Sequence, residues 1–407
     1  MNQSHLAYIS FDTVPAPKGA AIHIVAFARN LASAFGEIQL VTVSPNSKIT
    51  HSQEVLPDVV QTTLPAVGDT LIHRVLYFRA MLESWWKGRQ FDVIHVRSIY
   101  EGFPIAVNKE KLCKCLIFEV NGLPSIELKY RYPAVADDRE LLHKLRVQEK
   151  ICLDAADLIV TPSTVTRDYL QTRGVPSEKI RVIPNGVDLS IFTYSARQEG
   201  IDDSISNSTP IPNCFRLLYF GTLSAWQGVN LAIEALALAN HDLPTELIII
   251  GQGRSQQLVA LRKLAQKLNV QEQLTILETM SQVQLLQHIH QADAIVAPLT
   301  PNDRNLVQGC CPLKVLEAMA TGTPVIASDM PVVRELGTDG EHFLLVKPGS
   351  AKAIKDAVLR LIQEPELAPH LAIAARKRIE KYYTWQQAGA ALVEAYKSLM
   401  PTLSSNA

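Results

Sequence analysis

The sequence predicts an α/β protein of two doubly wound, Rossmann-like domains, and three observations carry that expectation. Short hydrophobic runs alternate with helix-period segments along almost the whole chain, the pattern of βα units whose parallel strands are covered on both faces. The alternation stops once, at a polar stretch rich in Ser, Asp and Pro from Thr193 to Asn213, and then restarts. A length of 407 residues suits two such domains, and a composition 47% hydrophobic and 19% charged suits a protein with a sizeable core. The expected division is a first domain over 1–192, a linker over 193–213, a second domain over 214–383, and a C-terminal helix over 384–407 that packs back on the first domain.

In the first domain, strands are expected at Leu6–Ser10, Ile38–Val43, Val93–His95, Leu116–Val120, Leu158–Thr161 and Ile180–Ile183, with long helices at Ala21–Ala34 and Ala134–Ala155. In the second they are expected at Phe215–Phe220, Glu246–Ile250, Leu274–Leu277, Ala294–Ala297, Pro324–Ala327 and Leu344–Val346. Thr384 is a suitable N-cap for a last helix running to Leu399. Two domains of this kind, facing one another, place a ligand in a cleft at the carboxyl ends of their strands.

Charge and cysteine content exclude several classes. Lys+Arg 39 against Asp+Glu 40 gives net −1, so no global positive field draws the protein to nucleic acid. The 6 cysteines lack the C-x-x-C spacing of a zinc or redox site and read as reduced thiols. The start, Met-Asn-Gln-Ser-His, has no charged leader region, and no apolar run reaches the roughly 18 residues of a membrane span, which predicts a cytoplasmic protein. Leu71–Gln90 mixes Arg74, Arg79, Lys87 and Arg89 with Trp85-Trp86, and two readings stand for it. It is either a helix of the domain core or an interfacial helix in peripheral contact with the inner face of the membrane. Asp137-Asp138 and Asp202-Asp203 read as solvated turns, and no metal site is expected.

The stretch richest in chemistry runs from Cys311 to Ala327. Pro312 suits a helix start and Gly322 with Pro324 a helix end, so a helix is expected from about Pro312 to Ala320. The helix N-terminus, around the amides of Leu313, Lys314 and Val315, favours an anion such as a diphosphate, and Lys314 adds a full charge in the same turn. Glu317 stands one turn on, placed to accept hydrogen bonds from a ribose diol. The competing reading is an amphipathic helix with a solvated Lys–Glu pair. Gly251 and Gly253 end one expected strand and suit close packing against a nucleotide. Gly19, between the first strand and first helix, allows close approach of a phosphate or acceptor, with Lys18 beside it. His23 falls inside that helix, where a core role competes with an acceptor contact.

These segments carry a family resemblance. Leu316 to Ser328 (LEAMATGTPVIAS), Pro184-Asn185-Gly186-Val187-Asp188, Gly251-Gln252-Gly253 and Gly340 to Ser350 (GEHFLLVKPGS) together resemble the family-4 retaining glycosyltransferases of the GT-B fold. The resemblance covers nearly the whole chain in order, and several motifs in register make it specific. It implies that Glu317 binds the ribose of a nucleotide diphosphate sugar and that the helix start takes the diphosphate, with no further cofactor and no metal. It also implies that loops at Gly251–Arg254, Glu278–Ser281, Asp329–Glu335 and Val346–Gly349 border the donor.

The chain departs from the family pattern at four places. Gly309 stands where the pattern has a glutamate eight residues before Glu317, and Thr222 and Gln227 stand where it has an Arg and a Lys in the first loop of the donor domain. Asn121 stands where it has a His. A branch of the same family resembles this chain more closely, with a Gly-x-Leu-x-x-Trp-x-Gly loop (Gly221 to Gly228), a Glu-Val-Asn segment (Glu119 to Asn121) followed by Glu127, a Pro-Leu-Lys helix start and Arg97. By that resemblance Lys314 with Arg97 meets the charge of the leaving phosphate, Asn121 and Glu127 lie at the reaction centre, and Thr222 and Gln227 line the donor. Lys18 and His23 then face the acceptor, and Arg304 is a lesser candidate.

The function expected is transfer of a hexosyl group from a nucleotide diphosphate sugar to a hydroxyl acceptor, lipid-linked or polysaccharide. The alternative is a binding homologue that has lost turnover, motivated by the four departures. A nicotinamide dehydrogenase is disfavoured because Pro17-Lys18-Gly19-Ala20-Ala21 holds a single glycine where a G-x-G-x-x-G would fall.

Overall fold

The computed structural model describes residues 5–45, 49–195 and 214–399, so most of the expected linker lies outside the described residues. The chain forms two compact units. The first comprises Met1–Asn185, Val307–Cys310 and Trp385–Ala407, and the second Gly186–Leu306 and Cys311–Thr384. The boundary after Asn185 precedes the expected one at 192 because the second unit claims the intervening residues. Val187 N–H donates to Tyr383 O at 2.8 Å, and Arg376 donates to Phe192 O at 3.1 Å.

The first unit contains β1 (Leu6–Thr13), β2 (Ile38–Val43), β3 (His51–Leu56), β4 (Val59–Leu64), β5 (Phe91–Val96), β6 (Cys113–Glu119), β7 (Leu158–Thr161) and β8 (Ile180–Val182). They form one sheet in the order β3-β4-β2-β1-β5-β6-β7-β8. All neighbours are parallel except the β3–β4 hairpin. That hairpin departs from the sequence expectation of parallel strands alone. Its outer strand is largely exposed and polar, so it carries no apolar alternation to announce it.

The two faces of the central strands differ in chemistry. Ala7, Ile9, Ile94, Val96, Leu116 and Phe118 belong to one hydrophobic cluster with Phe78, Leu82 and Cys152 from the covering helices. The pairing Tyr8↔His95↔Ile117 places Tyr8, His95, Arg97 and Glu119 on the opposite face, since side chains alternate along a strand. Helices Gly19–Phe35 and Trp385–Lys397 pack on one another in this unit, with Trp385 edge-on to His23 at 5.5 Å and Tyr396 stacked on Phe35 at 5.6 Å.

The helix expected over Ala134–Ala155 is divided into a short turn at Pro133–Val135 and a helix at Arg139–Ala155. Asp138 is its N-cap rather than part of a solvated turn, accepting from Leu141 N–H at 2.9 Å. Asp202-Asp203 lies outside the described residues. Leu71–Trp86 is a helix that buries Val75, Phe78, Leu82 and Trp86 and exposes Ile72, Leu76 and Tyr77. Among the described residues no helix is long and apolar enough to cross a membrane.

The second unit contains β9 (Phe215–Phe220), β10 (Thr245–Ile250), β11 (Leu274–Leu277), β12 (Ala294–Ala297), β13 (Val325–Ser328) and β14 (Leu344–Val346), all parallel, in the order β11-β10-β9-β12-β13-β14. After β9 the chain turns through Trp226, whose carbonyl accepts from Asn305 Nδ2 at 2.8 Å and from Thr300 N–H at 3.1 Å. Gly228 closes this turn with φ +67, and a Cβ there would lie 1.9 Å from Pro298 O. Gly228→Ala is therefore expected to cost about 2 kcal/mol or more, from the strained conformation and the backbone clash together. Urea denaturation of the two proteins measures it.

Candidate functional site

In each unit the strand order reverses once, between β1 and β5 and between β9 and β12. In open parallel sheets ligands bind outside the carboxyl ends of the strands at such points. The sequence-predicted residues divide between these two edges.

At the second-unit edge, helix Leu313–Thr321 follows the loop after β12. It is buried from Lys314 to Thr321, so the solvated Lys–Glu pair of an amphipathic helix does not exist. Lys314 and Glu317 are each only 8% exposed. The Lys314 ammonium donates to Gln227 Oε1 at 2.7 Å and lies 3.8 Å from the centre of the Tyr219 ring, a cation–π geometry that partly replaces lost water. Burial pushes the Glu317 carboxyl up to about 7, against a smaller lowering by Lys314. No side chain caps the helix start. Val315 N–H turns back to Pro312 O at 3.1 Å, so Leu313 rather than Val315 heads the helix dipole.

Thr222 is exposed in the loop after β9, and its carbonyl accepts from the Tyr219 hydroxyl. Gly251 and Gly253 have a packing reason before any nucleotide is considered: a Cβ at 251 would lie 1.9 Å from Gly221 O, and one at 253 would lie 2.9 Å from Leu223. Arg304 stands over the Trp226 ring at 5.5 Å rather than free in solvent.

At the first-unit edge the centre is Glu119, at the end of β6 and 1% exposed. Its carboxylate accepts from Tyr8 Oη at 2.8 Å and Arg97 Nε at 3.2 Å, and from Asn121 Nδ2. His23 Nε2 lies 2.7 Å away and His95 Nε2 3.1 Å away. Burial alone would raise the Glu119 pKa, but His23, Arg97 and the donated hydrogen bonds outweigh it and hold the carboxyl well below its usual range. Burial lowers the His95 pKa. A neutral His95 that donates Nε2–H to Glu119 accepts at Nδ1 from Tyr396 Oη, 2.6 Å away. Arg97 is 7% exposed and also donates to Asp12 at 3.0 Å.

His23, expected near an acceptor, is 4% exposed, with Nδ1 2.7 Å from Asn185 Oδ1 and its ring against Phe27 and Trp385. Both ring nitrogens are occupied inside the unit, so the core role holds and no acceptor contact is left to it. Lys18 is exposed and precedes helix Gly19–Phe35, whose start has no side-chain cap. Glu127 is half-buried and accepts from Gln308 Nε2 at 2.9 Å. The structure thus gathers His23, Arg97 and Asn121 on Glu119, and Gln227, Lys314 and Glu317 around one helix start. Tyr8, His95, Asn185, Tyr219, Gln308 and Tyr396 were not anticipated. Tyr8, His95 and Glu119 did leave a signal: each carries a polar group between two apolar neighbours, Ala7 and Ile9, Ile94 and Val96, and Phe118 and Val120.

The chain matches the model of Glycosyltransferase Family 4 over residues 17–191 and that of Glycosyl transferases group 1 over 202–378. It belongs to the family-4 glycosyltransferases of the GT-B fold. It is 28% identical over 251 residues to a glycogen synthase of Mycobacterium tuberculosis, a match spanning 61% of this chain and 56% of that protein's length. Sucrose-phosphate synthase from Thermosynechococcus elongatus shares the fold with TM-score 0.81 at 22% identity, covering 98% of this chain and 99% of that one. Anabaena HepE, solved in complex with UDP-glucose, does so with TM-score 0.72 at 15% identity, over 97% of this chain and 100% of that one.

Removing Glu119 would leave Arg97 buried without its carboxylate, so Glu119→Ala is expected to cost about 3 kcal/mol or more at pH 7. The lowered pKa sets the sign with pH. The stabilisation is present above the usual 4.5 and is lost as pH falls below it through the folded value. Denaturation of wild type and Glu119→Gln across pH 3–7 is expected to show a flatter acid limb in the variant.

Proposed function

We propose that the protein is a retaining glycosyltransferase that moves a hexosyl group from a nucleotide diphosphate sugar to a hydroxyl acceptor. The observation that carries the reading is the buried Lys314 at the uncapped start of helix Leu313–Thr321, one turn from a buried Glu317. A buried ammonium beside a helix N-terminus is a preorganised seat for a diphosphate. Glu317 accepts from the ribose hydroxyls there, with Thr222 and Gln227 lining the donor. HepE, which shares the fold, was solved with UDP-glucose, which supports this class of donor.

In the reaction the bond from the anomeric carbon to the phosphate oxygen breaks and one to the acceptor oxygen forms on the same face of the sugar. The departing phosphate oxygen takes the acceptor's proton, so no strong protein base is needed at Asn121. Lys314 and the Leu313 amide meet the charge that develops on the leaving diphosphate, preorganised donors that act without reorganising at the moment of reaction. The reaction uses no resident cofactor or metal. The first unit, with Lys18, Gly19, Arg97 and Asn121, handles the acceptor. The exposed Ile72, Leu76 and Tyr77 favour an acceptor carried on a lipid surface in the cytoplasm, and sedimentation with anionic vesicles is expected to pull down the wild type and not an Ile72→Ser/Leu76→Ser variant.

Purified protein is expected to release nucleoside diphosphate from one of UDP-, GDP- or ADP-glucose, with EDTA leaving the rate unchanged. Lys314→Ala should reduce that rate about 100-fold or more. A donor that binds without release, even with a membrane extract as acceptor, would favour a binding homologue instead.

The raised Glu317 pKa adds a pH test. Ribose hydroxyls donate to the carboxylate form, so nucleotide affinity should climb as pH rises through about 7 and level above it, while Glu317→Gln should remove that climb. In the unliganded protein the stability contributed by this group is fully present below the usual 4.5 and is lost as pH rises through about 7.

A further inference from the structure

The second unit carries a basic cleft that the donor site does not use. Helix Leu367–Tyr382 places His370, Lys377, Arg378 and Lys381 on one face, by their helical spacing. With Glu341 and His342 they line a cleft of about 470 Å³, and all six belong to the second unit. Lys377 and Lys381 stand four residues apart, where like charges repel. The one carboxylate within the helix does not relieve them, because Glu380 pairs with Arg376 at 2.7 Å. Arg378 turns its guanidinium to the carbonyls of Leu336 and Glu335, neutral acceptors that fix its direction without cancelling its charge.

His342 lines the same cleft although it is only 8% exposed. Thr338 N–H donates to its Nδ1 at 3.1 Å and its own N–H donates back to Thr338 O at 3.0 Å, so a closed turn holds the ring. A neutral ring whose Nδ1 accepts carries its proton on Nε2, and burial lowers the His342 pKa and so favours the neutral form. Among the described residues no acceptor meets Nε2–H, and the nitrogen is not sealed inside the unit, so it opens on the cleft. Glu341 lies 3.7 Å from Nδ1, on the other nitrogen's side of the ring.

We infer that this cleft binds a phosphate monoester, with Lys377, Arg378 and Lys381 meeting its charge and His342 Nε2–H donating to one of its oxygens. A solvated helix face needs the cations but not a buried donor locked at a set angle beside them. A tetrahedral dianion uses both, since its oxygens accept charge-assisted hydrogen bonds from several directions at once. The phosphate can come from a free metabolite or from a lipid headgroup, which offer the cleft the same group. None of these residues belongs to the donor site, so the inference stands whether or not that reading does.

Two probes separate the sources. Calorimetry reads the binding of glycerol phosphate in solution. Sedimentation reads the binding of vesicles containing phosphatidic acid, with Ile72→Ser/Leu76→Ser protein so that the exposed helix of the first unit does not contribute. Binding of glycerol phosphate alone assigns a free ligand, and binding of the vesicles, with or without it, assigns a headgroup. Lys377→Gln/Lys381→Gln is expected to weaken the binding about tenfold or more, and His342→Asn, whose Oδ1 still accepts from Thr338 N–H, to weaken it about tenfold, the scale of a hydrogen bond to a charged group. His342→Gln, which returns an N–H near the position of Nε2, should recover most of that loss. Should a His342 variant fail to fold in urea denaturation, a crystal of the wild type soaked in glycerol phosphate reads the contact directly, with the phosphate expected against His342 Nε2 and Lys377. Binding of neither probe, a phosphate seated elsewhere, or a loss in the lysine variant alone, which marks unspecific attraction to surface charge, overturns the inference.

Discussion

A lysine ammonium kept out of water is the constraint around which the second unit is arranged. Lys314 sits in a helix that is buried along nearly its whole length, where an ammonium without compensation would cost several kcal/mol. Its compensation comes from the Gln227 carbonyl and the face of Tyr219, both delivered by β9 and the turn that follows it. That turn is in turn fixed by Gly228 against Pro298 and by the Trp226 carbonyl on Asn305. The departure from the family pattern at 227 gains a physical sense from this. Gln227 carries no charge but fixes the direction of the Lys314 ammonium, and burial pushes the Glu317 carboxyl one turn on up to about 7.

The first unit solves the opposite problem, a buried anion. Glu119 is reached from β1, β5 and the segment after β6, and its stabilisation extends outward through His23 to Asn185 and through His95 to Tyr396. Asn185 is the residue at which the chain first leaves this unit, and Tyr396 lies on the helix by which it returns for the last time. One carboxylate thus links the first and the last of these crossing segments to Arg97 and Asn121, and buried polar networks of this kind favour a single geometry.

Much of the fold was legible in the sequence because apolar runs dictate strands. Ile38–Val43, Leu158–Thr161, Phe215–Phe220, Leu274–Leu277, Ala294–Ala297 and Leu344–Val346 stand where the hydrophobic pattern put them. The β3–β4 hairpin was not legible, since an exposed edge strand needs no apolar face. The domain boundary was read late because backbone hydrogen bonds, which leave no trace in side-chain pattern, assign 186–192 to the second unit. Of the site, Lys314 and Glu317 could be read from helix phasing and motif. Glu119 was seen as part of a motif but not as its centre, because the roles of Tyr8, His95 and Tyr396 depend on strand register and on a helix far along the chain, the His95–Tyr396 separation being 301. Gln308 could not be found at all from a pattern that looked for a carboxylate at 309.

The central claim is that the start of helix Leu313–Thr321 seats a diphosphate, and a crystal structure of the protein with its nucleoside diphosphate tests it most directly. The account predicts phosphate oxygens within hydrogen-bond distance of Leu313 N and Lys314 Nζ, with the ribose hydroxyls on Glu317. A nucleotide bound elsewhere, with Lys314 still turned to Gln227 and Glu317 untouched, would contradict it.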